Sequence, residues 1–286
     1  MKSPEVSFGI MADCQYADKD DFRGRIAGSD ITFRNCYRKS PEKLRQAIEE
    51  FNQRELDFIF HLGDFSDEKL SDADELNAIT AMSKVAVKHA LGNHEFWIPG
   101  TNPDDVIEKY GMPDKYYSFV ANNNRFVVLD TNELGPLEHP VGSIERKIGY
   151  ETVESYRRAG RIQAYEWNGG LSDRQMDWLD DELTDAQRRD QKAFLFSHHP
   201  VFPPHVLNAL NDKEIMELID SYDNVKAYIN GHQHGGNFGR RNGVPYVTIE
   251  GMLSEETNAF AVANVYDDKL TIEGHGRVPS RVLHYE

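Results

Sequence analysis

Five short blocks in this chain carry side chains able to hold metal: Asp13-Cys14-Gln15, Gly63-Asp64, Gly92-Asn93-His94-Glu95, Ser197-His198-His199-Pro200 and Asn230-Gly231-His232-Gln233-His234. The donors they supply are two carboxylates, two side-chain amides and three or four imidazoles, a mixed oxygen and nitrogen set without thiolate. Such a set suits Mn, Fe or Zn better than Mg or Ca, which prefer oxygen alone. Asp13, Gln15, Asp64, Asn93, His198, His232 and His234 are too many for one ion of ordinary coordination number. Two ions a few ångströms apart, bridged by one carboxylate, would use them all, so a binuclear centre is the economical reading.

The elements that must position these blocks are legible from hydrophobic patterning. Short apolar runs at 6–11, 56–62, 85–91, 125–129, 192–196 and 225–229 read as buried strands, and all five blocks directly follow one of them. In α/β sheets, ligands gather where loops leave the carboxyl ends of strands. Pro41 followed by Leu44, Ala47, Ile48 and Phe51 has the spacing of an amphipathic helix, making the link from the first strand to the second a crossover. Ser172 with Gln175 resembles a capping box ahead of Met176, Leu179 and Leu183, and Ile215, Leu218, Ile219 and Tyr222 suggest another helix. The apolar runs at 245–249, 260–266 and 270–273, separated by turn signals, predict an antiparallel tail. Segments 17–39 and 133–170 fit neither period. They are expected to be insertions able to cover the site, within one domain spanning 1–286.

Gly63-Asp64, Gly92-Asn93-His94-Glu95, His198 and Gly231-His232-Gln233-His234, in that order, resemble the signature of the calcineurin-like metallophosphoesterases. The resemblance implies an α/β fold, a two-sheet β-sandwich flanked by helices. It also implies that Asp13, Gln15 and His234 hold one ion, that Asn93, His198 and His232 hold the other, and that Asp64 bridges them. His94 would stand beside the substrate phosphate as hydrogen-bond donor or acid. Where most members of that family carry His in the first block, this chain has Gln15, whose neutral amide oxygen is a harder, weaker donor that shifts the first site toward manganese. Ala12-Asp13-Cys14-Gln15-Tyr16, Tyr37-Arg38-Lys39-Ser40, Phe51-Asn52-Gln53 and Leu62-Gly63-Asp64-Phe65 are similar to one subgroup, the manganese-dependent ADP-ribose/CDP-alcohol diphosphatases. That similarity implies a hydrolase cleaving the phosphoanhydride of small nucleoside diphosphate conjugates with two divalent ions, Mn first and Fe or Zn as alternatives.

Composition bounds the partners. Lysine plus arginine number 32 against 48 aspartates and glutamates, a net charge of -16, which disfavours nucleic acid but not a small phosphate ester at a cation-loaded site. Two cysteines, Cys14 and Cys36, are too few to staple 286 residues and are expected to be reduced. With no apolar run long enough to cross a membrane and no leader-like start, the expected location is the cytoplasm. The oligomeric state is left open.

Each residue has a plainer reading beside the functional one. Asp13 or Asn93 alone would be a turn or cap residue, Gln15 a solvated amide, and each histidine a surface or core residue; their joint placement after strands favours metal. His61 and His89 lie within apolar runs and are read as core, and His199 as a support for its neighbour. Tyr16, Phe65, Phe96 and Trp97 are candidates to stack a base, and Arg34 and Arg38 to pair with a distal phosphate. The acidic run 18–21 reads as a solvated loop. Rival functions are a cyclic-nucleotide or other phosphodiesterase, a Ser/Thr protein phosphatase and, in another class, a non-catalytic scaffold. The phosphatase branch carries Asp-Arg-Gly soon after its second aspartate, where this chain has Phe65-Ser66-Asp67-Glu68-Lys69.

Overall fold

The computed structural model describes residues 3–25, 32–97 and 101–285. In chain order its strands are β1 (Val6–Met11), β2 (Phe22–Arg25), β3 (Thr32–Asn35), β4 (Phe58–Leu62), β5 (Val87–Ala90), β6 (Tyr117–Ala121), β7 (Asn124–Val128), β8 (Lys192–Ser197), β9 (Val225–Asn230), β10 (Asn237–Arg241), β11 (Val244–Thr248), β12 (Ala259–Val265), β13 (Lys269–Gly276) and β14 (Arg281–His284). Its α-helices are α1 (Ser40–Phe51), α2 (Ala73–Thr80), α3 (His94–Trp97), α4 (Pro103–Tyr110), α5 (Ile144–Arg158), α6 (Asp173–Arg188) and α7 (Asp212–Ile219).

Two six-stranded sheets form, ordered β14-β13-β12-β1-β4-β5 and β10-β11-β9-β8-β7-β6. Strands β1, β4 and β5 run parallel, as do β7, β8, β9 and β11. A parallel strand covered on both faces must be apolar throughout, which is why these segments read as continuous runs. The sheets meet through aromatic side chains: Phe8 of β1 lies edge-on to Phe126 of β7 at 5.7 Å, and Phe60 of β4 stacks on Phe196 of β8 at 4.0 Å. Helix α1 covers the first sheet, with Phe51 against Phe260 of β12. Helices α6 and α7 cover the second, where Leu179, Leu183, Ile215 and Ile219 pack with Leu195 and Tyr228. Helix, sheet, sheet, helix is the expected layering.

Some expectations need correction. The run at 245–249 joins the second sheet as β11, parallel to β9, while the antiparallel tail is β12 to β14, attached to β1. Ser172 caps α6 by accepting from Gln175 N–H at 3.3 Å, but the reciprocal bond is absent. Glu133 instead accepts from Ser172 N–H, and the Gln175 amide ties the 130–133 turn to α6 by bonding Asp130 N–H and C=O. Segment 133–170 contains α5, whose Ile144 and Ile148 face outward and whose buried residues are Gly149 and Val153, so its apolar spacing does not mark its inner face. Segment 17–39 contains the β2–β3 hairpin; its residues 26–31 lie outside the described residues.

Candidate metal centre

Every donor named from sequence sits just beyond the carboxyl end of a parallel strand: Asp13 and Gln15 after β1, Asp64 after β4, Asn93 and His94 after β5, His198 after β8, and His232 and His234 after β9. The chain turns sharply there. Asp13, Gln15, Asp64 and His232 all have positive φ, between 47° and 67°. Two glycines permit the close approach of these turns. A Cβ on Gly63 (φ 89°) would lie 2.5 Å from His198 Nδ1, and one on Gly92 would lie 2.1 Å from Asp64 Oδ1.

Two groups of donor atoms result, Asp64 with His198 and His232, and Asp13 with Asp64 and His234, the atoms in each lying within 4.8 Å of one another. Asp64 belongs to both. Asn93 joins the first group, its Oδ1 being 3.2 Å from His198 Nε2. Gln15 lies beside the second, its backbone N–H bonded to Asp64 C=O at 2.8 Å.

The hydrogen bonds around these groups leave lone pairs facing one another. His198 Nδ1 donates to Leu62 C=O at 2.7 Å, so its Nε2 presents a lone pair toward Asp64 Oδ2 at 3.2 Å and His232 Nδ1 at 3.1 Å. The Asn168 amide donates to Gln163 and Val206 C=O, which turns its Oδ1 toward His232 Nε2 at 3.1 Å. That leaves His232 Nδ1 bare as well. The Gln15 Oε1 is buried with no hydrogen-bond partner, while its Nε2 donates to Asp67 Oδ1 at 3.1 Å. A convergence of buried acceptors without donors costs free energy unless a cation sits among them. Burial opposes charge on His198, yet Asp64 beside it pushes that pKa up to about 9. A proton and a metal ion compete for the same lone pair. These donors therefore fit divalent ions.

His94 is in neither group. Its Nδ1 lies 2.5 Å from Asp67 Oδ1, its N–H bonds Asp64 Oδ1 at 2.9 Å, and its ring stacks parallel on Trp97 at 5.6 Å. Burial works against its charged form, but Asp64 and Asp67 outweigh burial and raise its pKa. Glu95, fully buried, accepts from Asp64 N–H and Gly92 N–H on one oxygen, and from Phe65 N–H and the Tyr110 hydroxyl on the other. Sequence reasoning gave no role to Asp67, Glu95 or Asn168. The spacing Asp64-x-x-Asp67 and the carboxylate next to His94 were the available signals.

The remaining candidates separate. Phe65 is enclosed by His61, His89 and Tyr110, and Phe96 is buried, so neither offers a face to a base. Tyr16 has Glu75 beside its hydroxyl, which raises the pKa of the phenol. Arg34 pairs with Asp21 and Glu256, and Arg38 with Asp18 and Asp20, so the acidic run is ion-paired rather than simply solvated. Trp97 is half exposed and, with Tyr37, Lys19, Lys69 and His94, lines a cavity of about 540 Å³. His199 stays out of both donor groups, bonding Thr131 and Trp167 C=O, and His61 and His89 are core residues as expected.

Comparison with known proteins agrees with this geometry. The chain is 28% identical to the manganese-dependent ADP-ribose/CDP-alcohol diphosphatase of Danio rerio over the whole of both chains. It is 32% identical to the protein of that name from Bos taurus, covering 98% of this chain and 94% of the relative. Among solved structures, a dimetal phosphatase from Danio rerio superposes with a TM-score of 0.87 at 26% identity, covering 99% of this chain and all of that one. Residues 7–236, which include every donor described above, match the calcineurin-like phosphoesterase family. The chain belongs to the calcineurin-like phosphoesterases.

Proposed function

We propose that the protein is a metal-dependent diphosphatase that hydrolyses the phosphoanhydride of small nucleoside diphosphate conjugates, such as ADP-ribose and CDP-alcohols, to two phosphomonoesters. The observation that carries the metal-dependent chemistry is the convergence of the buried, unpartnered Gln15 Oε1 and the facing ring nitrogens of His198 and His232 around the shared Asp64. The full-length relatives, named as manganese-dependent diphosphatases, support the substrate class. Asp13, Gln15 and His234 would hold one ion, Asn93, His198 and His232 the other, and Asp64 both. Bound there, the ions would be Mn in the first instance, supplying an activated water and stabilising charge on the attacked phosphoryl group.

The chain's own residues do the rest. Asp67 occupies His94 Nδ1, which leaves Nε2 to donate to the leaving phosphate oxygen as the anhydride P–O bond breaks. The cavity beside His94, walled by Trp97 and Tyr37 and lined by Lys19 and Lys69 together with Asp67 and Glu68, has room for the departing phosphomonoester. The acidic surface repels long polyanions, which favours small conjugates over nucleic acid. We read the chain as one domain, with segment 133–170 supporting the centre through Trp167 and Asn168. Cys14 and Cys36 are free and buried, and among the described residues no helix is long and apolar enough to cross a membrane; both fit work in the cytoplasm.

Purified protein with Mn should convert ADP-ribose or a CDP-alcohol in ¹⁸O water to a nucleoside monophosphate and a second phosphomonoester, with label in one product and no orthophosphate. The reading fails if simple phosphomonoesters, cyclic nucleotides or phosphoproteins are cleaved with much higher kcat/KM than every conjugate.

A further inference from the structure

A glutamine ligand has a weakness that histidine and aspartate lack. Its two terminal atoms have nearly the same shape but opposite character: the oxygen can bind a cation, and the NH2 group repels one. Something must hold the amide the right way round. Gln15 is almost fully buried, and the partner of its NH2 group is Asp67, whose Oδ1 accepts from Nε2 at 3.1 Å. Were the amide reversed, its oxygen would face that carboxylate, acceptor against acceptor, and its NH2 group would take the place now held by the unpartnered Oε1. Asp67 is itself fixed, nine-tenths buried, with Lys19 on its other oxygen and His94 Nδ1 at 2.5 Å on the same one.

We propose that Asp67 is a positioning residue for the metal centre: by accepting from the Gln15 NH2 group it turns the amide oxygen toward the first ion. The inference rests on the reading of Gln15 as a ligand. It makes Asp67 a single carboxylate serving two partners, the amide that holds a cation and the imidazole that meets the leaving group. Outer partners of metal ligands typically contribute about 10- to 100-fold in metal affinity.

The test is Mn binding to the chelator-stripped full chain, followed by calorimetry and by electron paramagnetic resonance of free Mn, in wild type, Gln15→Ala, Asp67→Ala, Gln15→Glu and the Gln15→Glu/Asp67→Ala double variant. A carboxylate at 15 has two equivalent oxygens and needs no orienting. Gln15→Ala and Asp67→Ala should each weaken one of two sites about tenfold or more and spare the other, whereas the double variant should bind no more weakly than Gln15→Glu. Since the double variant carries the same truncation at 67, its intact binding separates orientation from misfolding. If Gln15→Ala changes neither site, Gln15 is not a ligand and the reading of the centre falls. If Gln15→Ala weakens a site but Asp67→Ala does not, or if Asp67→Ala weakens it equally with Glu at 15, the positioning role is overturned while the ligand assignment stands.

Discussion

Replacing Glu95 with Gln alters no proposed metal ligand and changes the side chain by one heavy atom, yet the structure predicts a measurable effect. The carboxylate accepts four hydrogen bonds, two per oxygen: Asp64 N–H at 3.2 Å and Gly92 N–H at 2.9 Å on Oε2, Phe65 N–H at 2.5 Å and the Tyr110 hydroxyl at 3.0 Å on Oε1. An amide has one oxygen. Turned toward Asp64 and Gly92, it leaves Phe65 N–H facing the NH2 group, while the Tyr110 hydroxyl can turn to accept from that group and donate to Ser66 Oγ at 3.1 Å; turned the other way, it strands the N–H groups of Asp64 and Gly92. Each stranded buried donor costs about 1–3 kcal/mol, so Glu95→Gln in its less costly orientation should lose about 1–3 kcal/mol. That is a measurable part of the roughly 5–15 kcal/mol that keeps a protein folded. The stranded Phe65 N–H directly follows Asp64 in its turn, so metal affinity should fall with stability. Tyr110→Phe removes one donor and leaves the carboxylate with three, and should cost no more than about 1.5 kcal/mol. Urea unfolding of chelator-stripped protein, which removes the metal's own contribution to stability, followed by Mn titration, reads both quantities. A Glu95→Gln variant within 1 kcal/mol of wild type and with unaltered Mn binding would refute the reasoning.

Asp64→Ala should release both ions because its carboxylate belongs to both donor groups, while Asn93→Ala should release chiefly one; two tightly held metals in Asp64→Ala by elemental analysis would overturn the bridging role. His94→Ala should keep its metals and lose about 10²- to 10⁴-fold in kcat; metal loss in proportion to activity would make His94 a ligand instead. Burial pushes the His89 pKa down from 6.5 to about 4. The unfolded chain therefore takes up a proton that the folded one refuses, and His89 should cost about 3 kcal/mol of stability as pH falls from about 6.5 to 4. Chemical unfolding at stepped pH should show a shallower loss over that window in His89→Leu, and identical slopes would refute the assignment.

The parallel strands and the donor set were legible in sequence for the same reason: strands buried on both faces are continuous apolar runs, and the residues immediately after them form the site; the two-sheet layering was an expectation from the family resemblance. Asp13, Asp64 and His232 could be named because each closes such a run. Asp67, Glu95 and Asn168 were not legible, since a carboxylate or amide that orients another residue has no periodicity and no fixed distance in sequence from what it touches. Asn168 meets His232 across 64 residues. Phe65 and Phe96 misled because adjacency to a ligand says nothing about the face of the turn on which a side chain falls. The run at 245–249 misled because a short apolar run near the antiparallel tail does not reveal which sheet it joins, and a parallel partner in β9 leaves no turn signal.

The left-handed turns at Asp13, Gln15, Asp64 and His232 set a tension between folding and ion binding. Non-glycine residues in that conformation cost about 1 kcal/mol or more each, although aspartate tolerates it better than most. Glycine at any of the four would relax the backbone and stabilise the bare polypeptide. The same replacement would remove a metal donor, so stability of the empty chain and affinity for ions pull in opposite directions at these four turns.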